Sequence, residues 1–163
     1  MTTPVPYKDV FIALAKNQIR YLVVGGFAVN FHQVQRATMD LDLMVHLENE
    51  NVSRFISVLG QLGFKPRAPV PAIDFANVEI RKKWIQEKGM MVFSFFHPQN
   101  QFEIIDVFVD EPKPFDELFT RRTSIRTYGI EIPVIGVEDL KDLKRAAGRD
   151  KDLFDLSQLE KKR

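Results

Sequence analysis

Two aspartates separated by one residue, Asp40 and Asp42, are the side chains in this chain best suited to do chemistry. They head the apolar run Leu41 to Val45. In an extended strand, residues two apart project from the same face. Both carboxylates therefore point one way, while Leu41, Leu43 and Val45 point into a core. Side by side, two carboxylates repel unless a cation or a proton lies between them. A third acid, Asp106, sits in the stretch Gln101 to Val109, where a period of two gives it the face of Phe102, Ile104 and Phe108. A carboxylate in such an apolar row is costly to desolvate without compensation. If its strand lies beside that of Asp40 and Asp42, three carboxylates would converge into the oxygen-only donor set that a hard ion such as Mg²⁺ takes. Two such ions about 4 Å apart can activate an attacking hydroxyl and stabilise a leaving pyrophosphate. Glu103 and Asp110 compete for third place, but Glu103 falls on the opposite face and Asp110 at the strand end. Any one of these acids alone would better fit an ordinary surface salt bridge; Asp40 and Asp42 together, in a strand after a glycine turn, favour the site.

A glycine pair, Gly25 and Gly26, follows the apolar run Tyr21 to Val24. Glycine lets the backbone approach a ligand closely, and N–H groups at a helix start attract anions. The same pair also serves as a plain tight turn. Its surroundings match neither the P-loop nor the dinucleotide fingerprint. Arg36 and Thr38, just before the acids, can donate to phosphate oxygens or be simple loop residues. Lys141 and Lys144 lie three apart on a helical stretch, beside an apolar stripe of Leu140, Leu143 and Ala147. A lysine there can reach a triphosphate as a mobile cation, although solvated helix lysines are commoner. Asp152 and Asp155, also three apart, either orient these basic groups or cap the last helix. His32, His46 and His97 lack metal-ligand spacing and read as structural or surface residues.

The elements that must position these groups follow from periodicity. Tyr7 to Gln18 predicts an amphipathic helix with Val10, Phe11 and Leu14 on one stripe. Tyr21 to Val24 predicts a short buried strand, Phe27 to His32 the start of a helix, and Asp40 to Val45 the next strand. Val52, Phe55, Ile56, Leu59 and Leu62 repeat at helical spacing and stop at Gly63. A helix is expected from about Phe75 to Lys88. Two hairpins follow, Met90–Phe96 with Gln101–Val109, and Thr123–Tyr128 with Ile130–Ile135, with one helical turn at Phe115–Phe119 between them. Glu138–Ala147 and Lys151–Lys161 close the chain as two helices broken at Gly148. Interspersed helices and strands with late hairpins define a mixed-sheet α/β or α+β fold.

The 163 residues, 45% of them hydrophobic, suffice for one domain with a substantial core. No apolar stretch approaches the roughly 20 residues of a membrane span. The first residues lack the layout of a secretion signal, so the cytoplasm is the expected location. The absence of cysteine excludes disulfides and thiolate metal sites. Net charge is only +1, yet Lys141 to Arg163 carries eight basic against five acidic residues. That run is either a solvated helix pair or a source of cations for a polyanionic ligand.

The order Gly25-Gly26, Arg36-x-Thr38-x-Asp40-x-Asp42, then Asp106 between hydrophobic residues resembles the DNA polymerase β-like nucleotidyltransferase superfamily. The tail Val134 to Leu156 is similar to the C-terminal helices of small bacterial nucleotidyltransferases of the AbiEii-like abortive-infection toxin branch. The resemblance runs from about Tyr21 to Leu159. It implies a single nucleotidyltransferase-like domain over residues 1–163, with a mixed sheet at about 21–135 and a C-terminal helix pair at about 138–161. It further implies that Asp40, Asp42 and Asp106 hold two Mg²⁺ ions, with Mn²⁺ able to substitute, and that Asp106 activates the acceptor hydroxyl. Gly25 and Gly26 would hold the triphosphate of an NTP such as ATP, with Arg36 and Thr38 beside it. Lys144 would contact the nucleotide, and Asp152, or alternatively Asp155, would match the acid near the motif's end. Much of the superfamily has Gly-Ser where this chain has Gly25-Gly26, which removes one hydroxyl contact to phosphate; the toxin-like branch commonly has Gly-Gly.

The implied activity is transfer of a nucleoside monophosphate from an NTP to an acceptor hydroxyl. The acceptor would be a tRNA 3′ end, a protein, or a small molecule such as an aminoglycoside or lincosamide antibiotic. A toxin–antitoxin or stress-response setting with a cognate antitoxin partner would suit the toxin-like tail. The alternatives are a catalytically silent nucleotide-binding module and a metal-dependent phosphohydrolase, which also uses clustered acids.

Overall fold

In the computed structural model, residues 6–162 are described. A seven-stranded mixed sheet forms the frame: β1 (Tyr21–Val24), β2 (Leu41–Val45), β3 (Lys65–Pro66), β4 (Val92–His97), β5 (Asn100–Phe108), β6 (Thr123–Thr127) and β7 (Ile130–Val134). Their spatial order is β3-β4-β5-β2-β1-β7-β6. β2 runs antiparallel to β1 and parallel to β5, and β1 runs parallel to β7. The mixed α/β architecture with late hairpins is the one expected from the sequence.

The central strands owe their position to composition. All four residues of β1 are buried, as are Leu41, Leu43, Met44 and Val45 of β2. Such runs satisfy a strand covered on both faces. The helices are α1 (Lys8–Lys16), α2 (Gly25–Phe31), α3 (Asn49–Gln61), α4 (Val78–Lys88), α5 (Phe115–Thr120), α6 (Val137–Ala147) and α7 (Asp150–Lys161). α2 packs on β1, β2 and α6, and α6 packs on α7. Beneath β4 lies an aromatic cluster in which Phe93 stacks on both Phe75 and Trp84. Offset aromatic contacts of this kind add to their area burial.

Four local features differ from the sequence expectation. α2 begins at Gly25, so both glycines belong to its first turn. The helix expected from about Phe75 is a 3-10 turn at Ala72–Ala76 followed by α4, because the Asn77 side chain accepts from the N–H groups of Glu79 and Ile80 and caps a new helix there. β3 is an added two-residue strand. On α6 the buried set is Asp139, Leu140, Lys141 and Lys144, while Ala147 is exposed and Leu143 half-buried. The stripe shifts because three charged residues, Asp139, Lys141 and Lys144, are drawn inward by partners on neighbouring elements. Among the described residues no helix is long and apolar enough to cross a membrane.

Candidate active site

The parallel pairing of β2 with β5 sets the site. Its register places Asp42 directly beside Asp106. The same transverse row continues to Val24 on β1 and Ser94 on β4. Cross-strand neighbours share a face, so both carboxylates emerge on one side of the sheet. Asp40 lies one residue before β2 rather than within it. On β5 the buried residues are Ile105 and Val107, followed by Val109, whereas Ile104, Asp106 and Phe108 are half-buried and Phe102 is exposed. Asp106 therefore stands on the open face and not in the apolar core.

Asp40, Asp42 and Asp106 line one cavity of about 630 Å³. Gly25, Gly26, Arg36 and Thr38 form one side of it, and Lys144, Arg149, Lys151 and Asp152 from the two C-terminal helices form another. Met91, Val92 and Phe108 make its apolar end, with Met91 77% exposed at the lip. Every residue assigned to the site from sequence thus borders the same space. Glu103 borders a different cavity, beside Tyr7, Met39 and Phe102, while Asp110 borders neither. The histidines lie elsewhere: His32 donates to the Ile135 carbonyl at 2.7 Å and His97 to that of Leu62 at 3.1 Å, while His46 Nδ1 stands 3.6 Å from Glu111.

The glycines are dictated by close approach. Gly25 has φ +67°, a conformation that L side chains rarely adopt. A Cβ there would also collide with the Asp42 carboxylate. One at Gly26 would run into the Arg36 guanidinium and stand 2.6 Å from Thr38 Oγ1. The turn is packed against the acids and the loop before them.

Charge is distributed unevenly in the cavity. Lys144 Nζ lies 2.9 Å from Asp155 and 3.3 Å from Asp152, and Arg36 Nε lies 2.9 Å from Asp155. Arg149 Nε donates to Asp152 at 2.6 Å, and the Arg149 backbone N–H reaches the same oxygen at 3.3 Å, which caps α7. Asp152 thus both orients the basic groups and caps the helix. Burial alone would raise its pKa, but the hydrogen bond from Arg149 and the charge of Lys144 hold it below the usual carboxylate range. These two buried acids absorb three of the cavity's cations, so Lys144 is a buried partner of carboxylates and not a freely mobile lysine.

The β2–β5 wall is left negative. Burial, then the neighbouring Asp106 and Asp40, push the Asp42 carboxyl up to about 7. Asp40 is raised by burial and by Asp106, against the opposing pull of Arg67 and Lys151. Two roles were not evident from sequence. Ser94 Oγ donates to Asp106 Oδ1 at 2.5 Å. The Tyr7 hydroxyl donates to the Met39 carbonyl at 2.6 Å and accepts from the Ile104 N–H at 3.1 Å. It therefore ties the residue before Asp40 to the strand that carries Asp106.

The donor set suits a hard divalent ion: three carboxylates border one cavity, and burial and mutual repulsion disfavour their charge unless a cation joins them. Among the described residues, no group of three or more His, Cys, Asp or Glu is gathered closely enough to cage an ion. Mg²⁺ does not require such a cage. It binds through one or two carboxylates, keeps several waters, and completes its shell with substrate phosphates. The residues present fit it.

No protein-family model and no curated protein sequence matches this chain. Solved structures do match by shape. One is the lincosamide antibiotic adenylyltransferase LnuA in its lincomycin-bound crystal structure, with TM-score 0.61 and 15% identity, covering 98% of each chain. Another is ANT(2″)-Ia in complex with adenylyl-2″-tobramycin, with TM-score 0.57 and 14% identity over 92% of this chain and 83% of that one. A third is an antigenic nucleotidyltransferase-like protein from Paracoccidioides brasiliensis, with TM-score 0.55 and 14% identity over 93% of this chain and 72% of that one. The chain has the nucleotidyltransferase fold.

Proposed function

We propose that this protein is a Mg²⁺-dependent nucleotidyltransferase. It transfers a nucleoside monophosphate from an NTP to an acceptor hydroxyl and releases pyrophosphate. The observation that carries the reading is the meeting of Asp40, Asp42 and Asp106 in one cavity, against the Gly25-Gly26 turn and with the basic helix ends lining the same space, in this fold. Fold alone does not define chemistry; the acids and the cavity are what support this reading.

Asp40, Asp42 and Asp106 would hold the metal, which when bound neutralises the phosphates and withdraws charge from the leaving group. Asp106 accepts the proton of the acceptor hydroxyl. The acceptor oxygen forms its bond to the α-phosphorus as the bond to the β-phosphate bridge breaks. Ser94 holds Asp106 Oδ1 and leaves Oδ2 for that proton. Gly25 and Gly26 give the phosphates close access to the turn, with Thr38 beside it. Positioning and charge stabilisation account for most of the acceleration in phosphoryl chemistry.

The acceptor is a hydroxyl of a small molecule, a protein or a tRNA end. Neighbouring structures with lincomycin and adenylylated tobramycin favour the first, and the toxin-like tail supports the others. Incubation with each α-³²P-labelled NTP, Mg²⁺ and cell lysate identifies both substrates by which species becomes labelled. Asp42→Ala should reduce labelling at least 100-fold; undiminished transfer in that variant refutes the assignment. A silent nucleotide-binding module is the second reading, favoured by the open arrangement of the acids. It predicts that NTPs raise the melting temperature equally with and without Mg²⁺, whereas the enzyme reading predicts Mg²⁺-dependent stabilisation.

A further inference from the structure

Among the described residues, four cations line the cavity: Arg36, Lys144, Arg149 and Lys151. The first three are paired with Asp155 or Asp152 at 3.3 Å or less. Lys151 is exposed, and none of its ion pairs or side-chain hydrogen bonds is found among the described residues. Lys151 nevertheless lines the same cavity as Asp40 and Asp42. Its place in the chain is also locally unfavourable. Lys151 stands in the first turn of α7 between Asp150 and Asp152, where the helix dipole favours acids and disfavours cations. A residue that breaks a local rule beside a site, without a structural partner, is where function is expected.

We propose that Lys151 is the cation that grips the polyphosphate of the bound nucleotide, and that Lys144 serves as a buried counter-ion that fixes α6 to α7. The proposal rests on the nucleotidyltransferase reading. A paired, buried lysine must abandon two carboxylates to reach a ligand. A free one on the cavity rim gives up only water, and its flexible stem lets it follow the phosphates. Charge-assisted contacts to phosphate oxygens are the strong kind.

Isothermal titration with tripolyphosphate in Mg²⁺ tests this without a nucleobase, and titration with each NTP follows. Lys151→Ala should weaken both about 10- to 100-fold, Lys151→Arg should restore most of the affinity, and Lys161→Ala, on the same helix, should change nothing. The melting temperature of Lys151→Ala should equal or slightly exceed that of the wild type, which separates lost contact from lost fold. Wild-type affinity in Lys151→Ala would overturn the proposal while leaving the enzyme reading intact. A wild-type protein that binds neither tripolyphosphate nor any NTP would overturn both.

Discussion

At the scale of single residues, Asp42 is held between burial and two neighbouring acids. Its carboxyl is raised to about 7 in the fold by burial and by two neighbouring acids, against an ordinary value near 3.8. The native state therefore holds a proton that the unfolded chain releases, and stability falls as pH rises between about 4 and 7 and levels off above. Because the side chain is only half-buried, solvent screening limits the effect to about 1–2 kcal/mol. In EDTA, urea denaturation should show this decline, and Asp42→Asn should flatten it and leave the metal-free protein more stable at pH 8. A pH-independent midpoint in the wild type would contradict the raised carboxyl. Lys144 makes the opposite case. Lys144→Met leaves Asp152 and Asp155 with one cation each, Arg149 and Arg36, and should cost about 3 kcal/mol, the low end for breaking a buried pair. Gly25→Ala should abolish labelling and lower the melting temperature, since the added carbon meets both a left-handed backbone and the Asp42 carboxylate.

Among the elements, the helices and central strands were legible because their burial follows simple periods. The runs Tyr21–Val24 and Leu41–Val45 have room for nothing but a covered strand, and Asp42 interrupts the second where the site opens. Shorter or shifted features were not legible. β3 is two residues long and has no pattern to read. The role of Ser94 was hidden by register. With His97 opposite Asn100, a regular hairpin would set Asp106 across from Met91, but the shift between Phe96 and His97 sets it across from Ser94. Tyr7 was read as a member of a helix and is its left-handed N-cap, with φ 62°, because its hydroxyl is held by Met39 and Ile104. Removing that hydroxyl with Tyr7→Phe should cost about 1–3 kcal/mol in urea denaturation. It should also lower kcat with little change in KM for the NTP, since the two acid-bearing segments lose their shared anchor.

Across the whole molecule, the two C-terminal helices complete a site whose candidate metal ligands lie on β2 and β5 or directly before β2. Asp155 on α7 reaches both Arg36, from the loop before β2, and Lys144 on α6. Their sequence spacing announced a basic helix pair but not this closure, because Arg36 lies more than a hundred residues from Asp155. A chain ending at Gly148 should therefore melt well below the full protein and lose NTP-dependent stabilisation altogether, as calorimetry with and without Mg²⁺ would report. Met91, at the apolar lip of the cavity, offers a practical handle. With no native thiol anywhere in the chain, Met91→Cys would accept a fluorescent dye at that single point. Occupancy of the cleft could then be followed optically in real time, one substrate at a time.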